Sequence, residues 1–343
     1  MRHTKYFGLA TSVAAALFLA GCGDTPEAES PKTTESTADQ FPVTIEHVYG
    51  ETVIAEKPER IATVAWANHE VPLALGVVPV GMSEAAWGDD DGDGVLPWVE
   101  EQLEELDAET PVLFDEADGI DFEWVADTQP DVILASYSGL TQDEYDTLSK
   151  IAPVVAYPDV AWGTSMQDMI RLNSQAMGMA DEGDALIAEL EQYIGEAVAT
   201  HPELVDAQVL FSYLDTNDLS QIGFYTTNDT RPGFLAEIGM ATPKVVSDAS
   251  AGSGEFYTTI SSEKGDQLAD VDLVITYGAT DGSTLKAIQA DKLLAKIPAI
   301  AGGAVAVLPD ATPLAASANP SPLSIRATLE DYLDLLAAAI AGA

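Results

Sequence analysis

From residue 60 onward, short apolar runs rich in valine and isoleucine alternate with stretches of helical periodicity, and this alternation limits the fold more than any other feature. Such alternation is typical of an α/β sheet in which helices connect the strands. The predicted strands are 61–66, 77–80, 112–114, 132–135, 154–156, 209–214, 245–246, 273–276 and 305–308. The predicted helices are 68–75, 165–177, 232–238, 262–269, 284–295 and 323–341.

A longer helix is predicted between the two groups of strands. It begins with Asp181 as its N-cap, carries an apolar stripe at helical spacing, and ends near Thr200, before His201-Pro202. We therefore predict two α/β lobes bridged by this single helix. The boundaries are 41–180 for the first lobe, 181–200 for the helix and 201–343 for the second lobe.

The two lobes also resemble each other in the order of their motifs. Glu123 comes eight residues before Asp131, which opens a strand ending at Tyr137. Glu263 comes nine residues before Asp272, which opens a strand ending at Tyr277. Each glutamate is predicted to lie in the first turn of a short helix that precedes a buried strand.

The amino terminus has the pattern of an exported protein. Basic residues precede an apolar run of about fifteen residues, which is too short to span a bilayer but fits a secretory signal. The run ends Leu19-Ala20-Gly21-Cys22, which resembles a bacterial lipoprotein signal with lipid attached to Cys22. We expect residues 1–21 to be removed, residues 22–40 to form a flexible tether, and the mature protein to be anchored on the outer face of the cytoplasmic membrane. The alternative is a plain secretory signal with an incidental cysteine.

Charge and cysteine content exclude several classes of protein. The 57 acidic residues against 14 lysines and arginines give a formal net charge of −43, which repels nucleic acid and favours a soluble monomer. A single cysteine excludes a disulfide framework and any multi-cysteine metal cluster. The motifs G-x-S-x-G, P-loop and H-E-x-x-H do not occur, which argues against a secreted α/β enzyme. No cofactor is required by any motif.

An acidic segment fits the calcium-loop pattern D-x-D-x-D-G-x5-E. Its candidate ligands are Asp89, Asp91, Asp93 and Glu100, with Gly94 at the sharp turn. However, Trp87-Gly88 is a poor end for an incoming helix, and Pro97 lies inside the loop. An acidic surface turn is therefore the default interpretation, and Ca²⁺ binding is the alternative.

Five segments in order resemble the substrate-binding lipoproteins of ABC importers for ferric siderophores, haem and cobalamin. They are Lys57-Pro-Glu-Arg-Ile61, Leu75-Gly-Val-Val-Pro-Val-Gly81, Gln129-Pro-Asp-Val-Ile-Leu134, Ile151-Ala-Pro-Val-Val155, and Ile297-Pro-Ala-Ile300 with Gly303-Ala-Val305. The resemblance covers residues 41–343. It implies a class III periplasmic-binding-protein fold with a ligand cleft between the lobes.

The resemblance also implies roles for the two glutamates. In this family one exposed glutamate on each lobe docks into arginine pockets of the permease dimer, and the matching positions here are Glu123 and Glu263. The alternative is that each carboxylate only complements the dipole of its helix.

Candidates for ligand contact lie where strands end, because ligands of open α/β sheets meet the loops at the carboxyl ends of strands. The aromatic candidates are Trp66, Trp87, Tyr137, Trp162, Tyr213, Tyr225 and Tyr277, and the charged candidates are Arg231 and Arg326. Core packing is the alternative for each aromatic residue, and a surface salt bridge is the alternative for each arginine. Together with these candidates, the resemblance implies a receptor that delivers a ferric siderophore to an ABC importer, with haem or cobalamin as the alternative ligand.

Overall fold

A computed structural model describes residues 41–342, so the predicted signal, Cys22 and the tether lie outside the described residues. The strands are β1 Val43–His47, β2 Gly50–Ile54, β3 Ile61–Thr63, β4 Gly81–Ser83, β5 Val112–Phe114, β6 Val132–Leu134, β7 Val154–Val155, β8 Val209–Tyr213, β9 Gln221–Tyr225, β10 Tyr257–Ser261, β11 Leu273–Gly278 and β12 Val305–Pro309. The α-helices are α1 Glu70–Ala74, α2 Pro97–Glu105, α3 Phe122–Asp127, α4 Gln142–Leu148, α5 Met166–Ala176, α6 Ala180–Ala199, α7 Thr230–Glu237, α8 Lys244–Ser250, α9 Ser283–Ala290, α10 Pro298–Gly302, α11 Pro313–Ser317 and α12 Ser324–Ala341. Short 3₁₀ helices cover Pro202–Leu204, Ser262–Leu268 and Leu294–Lys296.

The N-terminal sheet is parallel throughout, in the order β5-β4-β3-β6-β7. Strands β3 and β6 are buried along their whole length, as expected of parallel strands with helices on both faces. The order reverses between β3 and β6, and ligands of such sheets bind in the crevice beyond this reversal. The loop after β3 carries Trp66, and the loop after β6 carries Tyr137.

The C-terminal sheet has the order β10-β9-β8-β11-β12 and is mixed. Strands β8, β11 and β12 are parallel, whereas β9 runs antiparallel to both β8 and β10. The reversal of order here falls between β8 and β11, and Tyr277 lies near the end of β11.

Helix α6 connects the two sheets, close to the predicted position. The predicted N-cap was wrong: the helix begins after Met179, which makes no side-chain cap, and Asp181 lies in the first turn. Helix α6 packs against α5 at Gly183, where a Cβ atom would lie 2.0 Å from the Ser174 hydroxyl oxygen. Only glycine permits so close an approach of the two helices.

Besides helix α6, two hydrophobic clusters join the lobes. One hydrophobic cluster contains Met169 and Ile170 from the first lobe and Phe211 and Leu308 from the second. A second cluster packs Ala316 and Leu323, near the carboxyl terminus, against N-terminal residues that include Leu73, Met82, Leu96 and Trp98.

A buried carboxylate lies at the centre of this second junction. Glu70 is 1% exposed and accepts hydrogen bonds from the Trp98 indole Nε1 (2.9 Å) and from the backbone N–H of Leu323 (3.0 Å). Burial raises the pKa of Glu70, while these hydrogen bonds favour its charged form. The carboxylate therefore ties α1 to the start of α12, from one lobe to the other.

Three predictions of secondary structure need correction. Val245 and Val246 lie in helix α8, not in a strand. Both side chains pack into the C-terminal hydrophobic cluster, so their apolar character reflects burial of a short helix that begins after Pro243. The second strand is β4, just after the predicted 77–80, and the 262–269 helix is a 3₁₀ helix with a kink at Lys264. The hairpin β1–β2 and strands β9 and β10 were not predicted.

Across residues 41–342, no helix combines the length and apolarity that a membrane crossing requires.

Candidate functional site: a cleft between the two lobes

A cavity of ≈ 330 Å³ lies between the lobes and draws its lining from both. The first lobe contributes Trp66, Trp87, Tyr137 and Trp162. The second lobe contributes Asp229, Arg231, Phe256, Tyr277, Ala315, Ala316 and Asn319. One wall is thus mainly aromatic, and the opposite wall carries the charged groups.

Trp66 is presented by an unusual loop. The residues on either side, Ala65 and Ala67, both have left-handed backbones, with φ of 61° and 60°. Such conformations cost free energy for a residue with a Cβ and persist only where the surroundings hold them.

The Asn68 side chain holds this loop in place. Asn68 is fully buried, and its Nδ2 donates to the carbonyl oxygens of Val64 (2.9 Å) and Tyr137 (2.8 Å). Its Oδ1 accepts from the backbone N–H of Tyr137 (3.1 Å) and from the Ser136 hydroxyl (3.2 Å). One amide therefore fixes the loops that carry Trp66 and Tyr137 relative to each other.

A carboxyl group braces the same loop from the other side. The Glu116 carboxylate accepts the backbone N–H of Ala65 at 3.0 Å. Burial raises the pKa of Glu116 to about 7, with a further increase from Glu144 and opposition from the Ala65 and Ser83 hydrogen bonds. Glu116 therefore changes charge near neutral pH, and its hydrogen-bond partner Ala65 is the residue directly before Trp66.

The remaining aromatic residues pack edge to face. Tyr137 and Trp162 have ring centroids 5.4 Å apart, and Trp87 meets Tyr277 across the cleft at 5.6 Å. The Trp162 ring lies so close to the backbone at Gly139 that a Cβ atom there would be 2.2 Å from its Nε1. Edge-to-face geometry is the preferred arrangement of aromatic pairs, so these rings form a defined surface.

On the opposite wall, helix α7 positions Arg231. The Asp229 carboxylate, 1% exposed, caps the helix by accepting the Arg231 backbone N–H at 2.9 Å. It also accepts the Arg231 side chain at Nε and Nη2, both at 2.7 Å. This bidentate pair fixes the plane of the guanidinium.

Two aromatic rings complete the surroundings of Arg231. Its guanidinium carbon lies 3.6 Å from the ring centroid of Tyr225, and its Nη1 donates to the Tyr277 hydroxyl at 3.3 Å. Burial raises the pKa of Tyr277 to about 12, so its hydroxyl is neutral at physiological pH. The contacts with Asp229 and Tyr277 use one N–H on each terminal nitrogen of Arg231, and a second N–H remains on each.

The two walls meet through a ring of three hydrogen bonds. The Asn319 Nδ2 donates to the Tyr137 hydroxyl (2.9 Å), which lies 3.3 Å from the Thr230 hydroxyl oxygen. The Thr230 hydroxyl in turn donates to the Asn319 Oδ1 at 2.6 Å. The Tyr137 hydroxyl thus joins the first lobe to α7 and to the segment before α12.

Six of the nine residues predicted for ligand contact line this one cavity: Trp66, Trp87, Tyr137, Trp162, Arg231 and Tyr277. Tyr225 lies behind the guanidinium of Arg231, and Tyr213 is 49% exposed and does not line the cavity. Arg326 lies on α12, where its Nη2 pairs with Glu189 of α6 at 2.5 Å in an exposed salt bridge. For Arg326 the structure therefore shows the surface salt bridge that the sequence analysis gave as the alternative to ligand contact.

Sequence reasoning missed Asp229, Phe256, Ala315, Ala316 and Asn319. A signal for Asp229 existed, because an aspartate two residues before an arginine at the start of a helix can cap the helix and bind the side chain together. Asn319 gave no signal, since its role depends on the approach of the other lobe.

Both predicted docking glutamates are exposed and similarly placed. Glu123 lies in the first turn of α3, where Asp121 caps its backbone N–H, and α3 precedes β6. Glu263 lies in the first turn of the 3₁₀ helix, where Ser261 caps its backbone N–H, and this helix precedes β11.

The acidic segment forms a surface turn next to Trp87. Carboxylate oxygens of Asp89, Asp91 and Asp93 lie within 4.8 Å of one another, without Glu100 in that group. The Asp89 carboxylate already accepts backbone N–H groups from Asp91, Gly92 and Gly94. This geometry suits the acidic turn that was the default interpretation, and Ca²⁺ binding stays the alternative.

Solved structures of other proteins share this fold. PiaA from Streptococcus pneumoniae TIGR4, solved in complex with ferrichrome, is 46% identical, with a TM-score of 0.84, over 88% of this chain and 99% of that one. SirA from Staphylococcus aureus, solved with staphyloferrin B, has the same fold at 20% identity, with a TM-score of 0.65 over 86% of this chain and 98% of that one.

One curated relative matches over a shorter region. The probable siderophore-binding lipoprotein YfiY of Bacillus subtilis (strain 168) is 25% identical over 184 residues, which are 53% of this chain and 51% of the relative. The match thus spans about half the length of that protein.

The family evidence covers most of the folded chain. The family described as periplasmic binding protein matches residues 61–312, which include both sheets and the helix between them. The architecture, with two lobes and a cleft, is that of class III siderophore binders of this kind. The chain therefore belongs to the periplasmic binding protein family, whose members bind solutes.

Proposed function

We propose that this protein captures a ferric siderophore of the hydroxamate type and delivers it to the permease of an ABC importer. The observation that carries the proposal is the cleft, where an aromatic wall faces Arg231 fixed by Asp229. The support from relatives is the 46% identity to PiaA, which was solved with ferrichrome.

The chemistry of the two walls fits such a ligand. A siderophore chelate is bulky and partly apolar, and indole faces bind such surfaces with little loss of conformational entropy. The remaining N–H groups of Arg231 can donate to the oxygens around the metal. A net charge of −43 disfavours a highly anionic tris-catecholate and tolerates a neutral chelate such as ferrichrome.

The proposal extends to the membrane. Lipidation at Cys22 would hold the receptor on the outer face of the cytoplasmic membrane, and a tether over residues 22–40 would let it reach the permease. Glu123 and Glu263, exposed at equivalent places in the two lobes, are the proposed contacts with permease arginines.

Isothermal titration of the mature protein with ferrichrome tests the ligand. We expect a dissociation constant of micromolar or below, and no comparable binding of haem, cobalamin or a ferric tris-catecholate. The Arg326→Ala variant serves as a matched control, because Arg326 is exposed and paired with Glu189 away from the cleft. Binding of haem or cobalamin without ferrichrome would replace the proposed ligand, and binding of none of the four would refute the proposal.

A further inference from the structure

Next to Glu123, the first lobe exposes a tryptophan that neither the core nor the cleft uses. Trp124 is 51% exposed, far above the other tryptophans of the described chain. Large exposed aromatic side chains beside charged residues are typical of protein interfaces, where tryptophan and arginine are enriched.

Trp124 and Glu123 face the same hollow. A surface groove of ≈ 540 Å³ is lined by both residues, by the apolar side chains of Ile120 and Phe122, and by acidic residues that include Asp118. From residue 115 to residue 131 the chain contains acidic residues and no lysine or arginine. Arg60 approaches this stretch only past the carboxyl end of α3, where it donates to the carbonyl oxygens of Thr128 and Gln129. The groove therefore offers an apolar face among acidic side chains.

This combination selects a particular cation. A guanidinium is planar and weakly hydrated, so it can stack on an indole while it forms two hydrogen bonds with a carboxylate. An ammonium group binds as a point charge and does not gain from the flat surface in the same way. The chemistry thus points to an arginine on a protein surface.

The equivalent place in the second lobe is different. The residue after Glu263 is Lys264, an exposed cation where the first lobe has Trp124. The nearby groove of ≈ 660 Å³ is not lined by Glu263; its charged residues are Asp266, Asp270 and Lys244, which is paired with Asp248 at 2.6 Å. Lys244 and Lys264 reduce the negative charge of this region, and no tryptophan lines the groove.

We propose that Trp124 and Glu123 together form an arginine-binding contact for the importer permease, and that this contact supplies more of the docking affinity than Glu263 does. The inference rests on the proposed function only in taking the permease as the partner. It assigns to the two lobes unequal parts in docking, although their glutamates are equivalent in position.

The test measures binding of the ligand-free mature protein to its cognate permease dimer in nanodiscs. Trp124→Ala and Glu123→Ala should each weaken this binding about 10-fold, and Glu263→Ala by less than about 3-fold. Trp124→Phe should recover part of the loss, because it restores an aromatic face. Val205→Ala, at a residue that is 49% exposed, is the matched control and should change nothing.

Two results would overturn the inference: wild-type docking of Trp124→Ala, or a larger loss from Glu263→Ala than from Glu123→Ala. Each variant is also titrated with ferrichrome, whose affinity should stay at the wild-type value because Trp124 lies outside the cleft. Failure of wild-type protein to bind ferrichrome would refute the ligand, whereas failure of the docking series with intact ferrichrome binding would refute only the present inference.

Discussion

The two lobes bring different chemistry to the cleft from similar strand ends. In the N-terminal lobe the sheet is parallel throughout, and its loops present indoles and one tyrosine. In the C-terminal lobe the sheet is mixed, and helix α7 presents an ion pair. The comparison shows that the fold decides where side chains converge, while local loop sequence decides whether a wall is apolar or charged.

The two walls are also held by different means. The guanidinium of Arg231 is fixed by Asp229, whose carboxylate accepts two hydrogen bonds of 2.7 Å from the arginine side chain. The loop of Trp66 is fixed by the neutral amide of Asn68 and by Glu116, whose charge depends on pH. We therefore expect the C-terminal wall to respond strongly to mutation and the N-terminal wall to respond to both mutation and pH.

The largest effect is expected on the charged wall. Arg231→Ala should reduce affinity for ferrichrome about 100-fold, because it removes charge-assisted hydrogen bonds. It also leaves the buried Asp229 carboxylate without its partner, so the melting temperature should fall. Titration calorimetry and thermal unfolding measure the two effects.

A double replacement separates these effects. Arg231→Ala with Asp229→Asn removes the uncompensated charge and should restore much of the thermal stability, but not the affinity. If the double variant regained wild-type affinity, Arg231 would be a structural residue and the contrast between the walls would disappear.

A smaller effect is expected on the aromatic wall. Trp66→Ala should weaken ferrichrome binding about 10- to 30-fold, because about 1.5–2 kcal/mol of apolar contact is lost. Trp124→Ala is the matched control, since that indole is exposed outside the cleft. Equal affinities of the two variants would show that the aromatic wall does not touch the ligand.

The smallest effect concerns Glu116 and pH. Its pKa of about 7 in the folded protein lies above the ordinary value of 4.5, so the folded state binds a proton more tightly than the unfolded state. Its contribution to stability is therefore greatest below pH 4.5 and falls as the pH rises towards and through 7. Glu116→Gln should remove this dependence and stabilise the protein by about 1 kcal/mol at pH 8.

Urea unfolding at pH 5 and pH 8 measures the change. Glu101→Gln, at an exposed residue of α2, controls for the general loss of one negative charge. An identical slope of stability against pH in wild type and Glu116→Gln would contradict the assignment.

Much of the core of the fold could be predicted from the sequence, because buried parallel strands are apolar throughout and helix α6 has a long apolar stripe. Strands β6, β11 and β12 lie close to their predicted positions. The hairpin β1–β2 alternates buried and exposed residues, and β10 lies at a sheet edge, so their runs are less apolar. Strand β9 is buried at its centre, but Gly223 interrupts its apolar run. Val245 and Val246 are β-branched, yet tertiary packing places them in a helix.

The cleft residues could be predicted only in part, because some of them reach the cleft through contacts between the two lobes. Strand ends mark positions that face a crevice, and Trp66, Tyr137 and Tyr277 are examples that line the cavity as this rule predicts. The rule cannot tell that Arg326 lies in the first turn of α12 and pairs with Glu189 on α6. Asn319 lines the cleft because it contacts Tyr137 of the other lobe, and no local sequence pattern predicts such a contact.

The carboxylate of Glu70 has a consequence for recombination between relatives. Its partner N–H belongs to Leu323, and the side chains of Leu323 and Ala316 fill a core made mostly by the other lobe. A chimera that joins the first lobe of one family member to the second lobe of another would have to match these surfaces as well as the bridging helix. The lobes are therefore not interchangeable modules, and sequence changes in α1 and α2 should be inherited together with changes in the last thirty or so residues of the chain.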